Sequence, residues 1–192
     1  GGLEELSPLD LLPDLEEAAH RLAEALRKNE KVLIYGDYDV DGLTSVALML
    51  RVLRPLIKNN ILYYIPKRLE EGYGLHRQAL AKAVKHGCRL VITVDCGVTA
   101  FEEAEFLKEN GVDLIITDHH EPGSKVPETI AVVNPKLNPD YPLPHLAGVG
   151  VAYKLLQGLT QVFPQGEETL RQNLDLVALG TIADIAPLLG EN

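Results

Sequence analysis

Three short runs of near-continuous Val, Ile and Leu constrain this chain more than any other feature: KVLIYG (31–36), RLVITVD (89–95) and VDLIITD (112–118). None alternates apolar with polar residues, so a strand built from any of them has two faces to bury. Strands of that kind belong to parallel sheets covered by helices on both sides. NILYYIP (60–66) and TIAVVNP (129–135) fit as two further strands. Between and around them, apolar residues recur at helical spacing over 14–28, 42–56, 77–87, 99–111, 147–163 and 167–189, the last interrupted near Gly180. RLEEGYGL (68–75) reads as a polar connection, and NPKLNPDYPLP (134–144), with four prolines, as a loop. The alternation predicts an α/β fold, a mostly parallel sheet with helices on both faces.

Sheets of this class bind ligands beyond the carboxyl ends of their strands. That edge is where the unusual residues fall. YGDYDVDG (35–42) places Asp37, Asp39 and Asp41 at every second position after the first strand, Asp95 closes another, and Asp118, His119 and His120 close a third. Carboxylates this close repel one another, and partial burial raises the cost. A bound cation resolves both problems. Carboxylate and imidazole donors without thiolate suit Mn²⁺ or Mg²⁺. Two such ions ~3.5–4 Å apart activate water and stabilise the attacking and leaving oxygens of a phosphate ester. A single Asp at a strand end is ordinary turn chemistry; the convergence of three groups is what favours metal. The DxDxDG string also resembles a calcium loop, but an EF-hand needs Glu at the twelfth position, where this chain has Leu48, and flanking helices rather than a preceding strand.

Other features bound the reading. The net charge of −10 is unusual for a nucleic-acid binder; bound metal neutralises part of it, and a basic domain elsewhere can supply grip. No apolar run approaches the ~20 residues of a membrane-spanning helix, and no signal-peptide pattern opens the chain. Cys88 and Cys96 flank a predicted strand, too far apart at ~3.3 Å per residue for a disulfide. Free thiols and a cytoplasmic location are expected. The Gly1–Gly2 start and the single methionine, Met49, are expected of a fragment, a processed chain or an engineered form rather than an intact translation product. Arg68 follows the second strand and offers a bidentate fork for phosphate. Gly42 opens a helix beside Asp41, where the missing side chain admits substrate or metal-bound water. Gly148 and Gly150 sit at a helix start, where they serve phosphate approach or close packing, with packing favoured. His20, His86 and His145 are expected on the surface.

GDYDVDG, TVDCG, TDHHEP and ALGTIADIAPL, in this order, resemble the four motifs of the DHH phosphoesterases. The resemblance covers residue 31 to the end and implies a helical lead-in (1–30) followed by the catalytic domain (31–192). It also implies that the second, DHH-associated domain and an OB-fold lie outside this sequence. RLEEGYG, VDCGVT and GTIADIAPL resemble the branch of single-strand-specific DNA exonucleases that work from the 5′ end, more than the pyrophosphatase or oligoribonuclease branches. The resemblance implies a two-ion Mn²⁺ or Mg²⁺ phosphodiesterase of DNA repair and recombination, with single-stranded DNA as substrate and a helicase or single-strand-binding protein as partner. Hydrolysis of short oligoribonucleotides or cyclic dinucleotides, and a non-catalytic scaffold on the same fold, stand as alternatives. Asp39, Asp41, Asp95 and Asp184 would be metal ligands, with Asp95 and Asp184 as candidate bridges. His119 would be a ligand and His120 would lie near the phosphate, while Asp118 supports the histidines or joins the metals. Some members carry histidine where this chain has Tyr35, and Asp37 is the substitute that the motif suggests. Neighbouring residues on an extended segment point to opposite sides, so His119 and His120 are expected to face apart.

Overall fold

The computed structural model describes residues 11–67, 73–143 and 145–178. Arg68 and Asp184 lie outside them, as does nearly all of the fourth motif. Five strands, β1 (Val32–Tyr35), β2 (Ile61–Tyr64), β3 (Leu90–Val94), β4 (Asp113–Thr117) and β5 (Ala131–Val133), form one sheet in the order β2-β1-β3-β4-β5. All four pairings are parallel.

The apolar runs explain this sheet directly. In β1, Val32 and Ile34 point into one core while Leu33 and Tyr35 point into the other; β3 repeats this with Leu90, Ile92 and Val94 against Val91. Both faces therefore exclude water, and each is covered by helices. Helices α1 (Leu15–Arg27), α2 (Val40–Ile57) and α5 (Gly148–Val162) cover the first face. Helices α3 (Arg77–Lys85) and α4 (Phe101–Glu109) cover the second. Burying one Leu or Ile in such a core contributes roughly 1.5–3 kcal/mol, so the many residues at zero exposure hold the sheet rigid beneath the loops at its edge.

Helix α1, set apart as a lead-in by sequence, packs against α5 and β5 and buries Leu15, Ala18, Leu22 and Leu26 in the shared core. Arg21 ties it down further, donating to Asp113 and Glu30 at 2.7 Å each. The helix expected over 167–189 breaks at Asn173: α6 (Glu167–Gln172) precedes it, and a further helical stretch covers 174–178. Cys88 and Cys96 are free and buried.

The strand order places neighbours of β1 that lead in opposite directions, β2 on one side and β3 on the other. At such a switch the loops after the two strands diverge and leave a crevice. Residues 37–41 and Asp95 lie at that crevice.

Candidate metal centre

Each acidic group reaches the crevice by a different local device. After β1 the chain turns at Asp39, whose carboxylate accepts the Gly42 N–H at 2.7 Å, while its carbonyl accepts the Leu43 N–H at 2.9 Å. That is an N-cap, typically worth ~1 kcal/mol. It starts α2 two residues earlier than the sequence reading placed it, so Asp41 stands in the first helical turn rather than in an extended loop. Gly42 is buried, and a Cβ there would sit 2.4 Å from the Asp37 carbonyl oxygen. The missing side chain makes room for the protein's own turn.

Asp41 is 3% exposed. Its Oδ2 accepts the Gly148 N–H at 2.7 Å and its Oδ1 accepts the Val149 N–H at 2.8 Å, so both oxygens face the first turn of α5. Burial pushes its carboxyl above the usual range, and the two N–H donors oppose that shift. Burial also raises Asp37, against the Tyr38 N–H that it accepts at 2.8 Å.

After β3 the backbone of Asp95 adopts φ 62, a left-handed conformation that few residues other than glycine accept without cost. Thr93 Oγ1 closes this turn by donating to the Cys96 carbonyl at 2.7 Å. The turn drives the Asp95 carboxylate inward to zero exposure. Among the described residues, neither of its oxygens finds a hydrogen-bond donor of good geometry, although His119 Nε2 stands 2.8 Å from Oδ1. Burial, then the charges of Asp41 and Asp39, push its carboxyl up to about 11.

After β4 the chain folds around Asp118. Its Oδ1 accepts the N–H groups of His119 and His120 at 2.8 and 3.2 Å and lies 2.6 Å from His120 Nδ1; its Oδ2 accepts the Val98 N–H at 3.1 Å. Burial alone would raise this carboxyl, but His120 and the backbone donors outweigh it and hold it below the usual range. With its oxygens committed in this way, Asp118 supports the histidines and stands outside the donor groups that the described residues form. The same turn overrides the alternation of an extended strand. The His119 and His120 rings lie on one side, centroids 4.5 Å apart, and do not face apart as expected.

The donors gather into two groups. One oxygen or nitrogen each from Asp37, Asp39 and Asp95 lie within 4.8 Å of one another, as do those from Asp95, His119 and His120. Asp95 belongs to both, and Asp41, whose oxygens accept the α5 N–H groups, belongs to neither. An orphaned, buried carboxylate shared by two donor sets fits divalent cations well. Tyr35 stays out of the cluster: its ring packs on Tyr64 at 5.1 Å, and its hydroxyl accepts the His76 N–H at 2.9 Å.

Two residues escaped the sequence reading. Asn134 is fully buried; it donates to the His120 carbonyl at 2.9 Å and accepts the Lys136 N–H at 3.0 Å, which fixes the histidine turn from β5. The Asn-Pro pair after a strand was its only signal. Tyr73 places its hydroxyl 3.0 Å from His120 Nδ1 and its ring edge-on to the imidazole, centroids 5.4 Å apart. His20, His86 and His145 are exposed, as expected.

The family described as "DHH family, N-terminal domain" matches residues 31–181. This chain belongs to the DHH family. It is 48% identical over 179 residues to the single-stranded-DNA-specific exonuclease RecJ of Bacillus subtilis (strain 168), covering 93% of this chain and 22% of that protein. A crystal structure of exonuclease RecJ bound to manganese matches with TM-score 0.81 and 42% identity, over 92% of this chain and 44% of that one. RecJ of Thermus thermophilus in complex with Mn²⁺ matches with TM-score 0.78 and 37% identity, over 94% of this chain and 25% of that one. The chain thus spans less than half of each of these proteins. The family anticipated from GDYDVDG and TDHHEP, and the branch anticipated from RLEEGYG, VDCGVT and GTIADIAPL, agree with these matches. Among the described residues, no helix is long and apolar enough to cross a membrane.

Proposed function

We propose that the protein containing this chain is a metal-dependent phosphodiesterase that degrades single-stranded DNA from its 5′ end. The observation that carries the proposal is Asp95: a fully buried carboxylate without a well-formed hydrogen bond among the described residues, common to two donor groups. Leaving it uncompensated is costly, and a pair of cations is the compensation that both groups fit. The similarity to Mn²⁺-bound RecJ supports Mn²⁺, with Mg²⁺ the harder alternative. Asp37, Asp39, Asp41, Asp95 and His119 are the proposed ligands among the described residues, with Asp184 added by motif. Arg68, also outside those residues, is proposed to hold a substrate phosphate. When bound, such ions polarise phosphate oxygens and make a water nucleophilic near neutral pH.

The protein's own groups do the rest. Asp118 fixes the imidazole of His120 through Nδ1 and raises its pKa, so Nε2 is the nitrogen left to hold or pass a proton. Hydrolysis adds water to phosphorus and breaks the bond to a 3′ oxygen, which must gain a proton. His120 is the proposed donor and Asp118 its positioning partner. A single-stranded substrate calls for a helicase or single-strand-binding protein to present it, and that is the partner class proposed. DNA repair or recombination in the cytoplasm is the proposed setting, supported by the free thiols and the substrate.

The test is digestion of 5′-labelled single-stranded DNA by the full-length protein with and without Mn²⁺. Mn²⁺-dependent release of label from long strands is expected. Activity confined to di- and trinucleotides would transfer the site to the oligonucleotide-hydrolysing branch, and no Mn²⁺ binding by calorimetry would leave a scaffold.

A further inference from the structure

Helix α5 enters the acidic cluster at Gly148, and the contacts there are closer than a side chain allows. A Cβ on Gly148 would lie 2.5 Å from Asp95 Oδ1, 2.8 Å from Asp41 Oδ2 and 2.8 Å from Asp95 Cβ. All three atoms belong to buried side chains, Asp95 with zero exposure and Asp41 with 3%. His119 Nε2 approaches the same two oxygens, 2.8 Å from Asp95 Oδ1 and 3.4 Å from Asp41 Oδ2. The backbone of Gly148 does not have a positive φ, so alanine is conformationally acceptable there and only space forbids it.

We infer that Gly148 is a positioning residue for cation binding: it lets the first turn of α5 press against Asp41 and Asp95 and fix the spacing and rotation of their carboxylates. The inference rests on the cation reading of the cluster. Each Asp41 oxygen gives one lone pair to an α5 N–H, at 2.7 and 2.8 Å, which locks the carboxylate plane and leaves the remaining lone pairs at set angles. The partial positive charge at a helix N-terminus also favours the ionised form of nearby carboxylates. Any side chain at 148 would push Asp95 and Asp41 apart. Gly150, two residues further along the same turn, is a natural contrast. The three atoms nearest to its Cβ would all belong to the Leu146 side chain, with Cδ1 at 2.6 Å, and none to the acidic cluster.

The experiment compares full-length wild type, Gly148→Ala and Gly150→Ala by Mn²⁺ calorimetry and metal-free thermal melting. Residues that orient metal ligands typically change affinity about 10–100-fold. Gly148→Ala is expected to weaken Mn²⁺ binding on that scale, while Gly150→Ala leaves it within about twofold of wild type. Equal Mn²⁺ affinity in wild type and Gly148→Ala, or the same loss in both variants, overturns the inference. If wild type itself binds no Mn²⁺, it is the proposed function that fails. Should Gly148→Ala not fold, adding Asp95→Gly removes both Asp95 atoms that obstruct the new Cβ, and φ 62 at that position suits glycine. Recovery of a cooperative melt in the double variant then supports the contact, and failure to recover refutes it.

Discussion

Asp95 and Asp118 invite comparison. Both end a central strand of the same sheet, both have zero exposure, and each lies beside a histidine. Their electrostatics are opposite. Asp118 accepts three backbone N–H groups and a histidine ring and is held below the usual carboxylate range. Asp95 accepts no well-formed hydrogen bond from the described residues, has Asp39 and Asp41 beside it, and rises to about 11. The lesson concerns what surrounds a carboxylate rather than where it stands in the chain. Asp118, satisfied by the protein, serves as scaffold; Asp95, orphaned, calls for positive charge. The same contrast answers why the chain tolerates so many acids at one edge. The first turn of α5 compensates Asp41, and the cations proposed for the site would compensate the rest.

The largest effect that separates the two is on cleavage. Asp95→Ala should reduce Mn²⁺-dependent digestion beyond detection and weaken Mn²⁺ binding, because both donor groups lose their common member. A variant that keeps near-normal turnover would remove Asp95 from the site and erase the comparison.

Asp118→Asn should act through His120 instead. Loss of the charged partner should bring the His120 pKa, raised mainly by Asp118, back toward its ordinary value. NMR titration of the imidazole resonances checks this. Cleavage should fall about 10–100-fold, the usual range for a group that orients others, with Mn²⁺ affinity closer to wild type than in Asp95→Ala. If metal binding collapses in both variants alike, Asp118 is not scaffold.

A smaller effect appears in stability against pH without metal. Asp95, Asp41 and Asp37 have raised folded-state pKa values. Above about pH 4 the unfolded chain ionises these groups while the folded chain resists, so stability falls as pH rises, for Asp95 up to about 11. His120, raised in the folded state, adds stability that is full below about pH 6.5 and is lost as pH climbs through its folded value. Asp118 contributes stability above about pH 4 and loses it only in more acidic solution. The metal-free melting temperature should therefore drop between pH 5 and pH 8, and saturating Mn²⁺ should flatten or reverse the trend by holding the carboxylates ionised. A metal-free protein that grows more stable over this interval would contradict the burial account of Asp95.

The smallest effect is at Tyr73, which is half exposed and touches His120 from the solvent side. Removing its hydroxyl in Tyr73→Phe keeps the ring contact. Stability should stay within about 0.5 kcal/mol of wild type by thermal melting, and the His120 titration should move far less than in Asp118→Asn.

Much of this was legible in the chain because strand ends are local. LVITVD and DLIITD name their strands, and the residues that follow must lie on one edge. Which aspartate is orphaned was not legible. The donors that quiet Asp41 come from Gly148 and Val149, more than a hundred residues away, and only the packing of α5 against α2 brings them together. The orientation of the histidines failed for a related reason. Asp118 accepts the two N–H groups that follow it and folds a segment that pattern alone would extend. The close approach of the Asp37 carbonyl to Gly42 was equally out of reach of the sequence, because it depends on how the turn after β1 folds back on α2.

The most direct test of the account is anomalous diffraction at the manganese edge from crystals of the full-length protein grown with Mn²⁺. The account predicts two manganese peaks, both in coordination contact with the Asp95 carboxylate, and none in contact with Asp118. A peak coordinated by Asp118, or ions that leave Asp95 untouched, would contradict it.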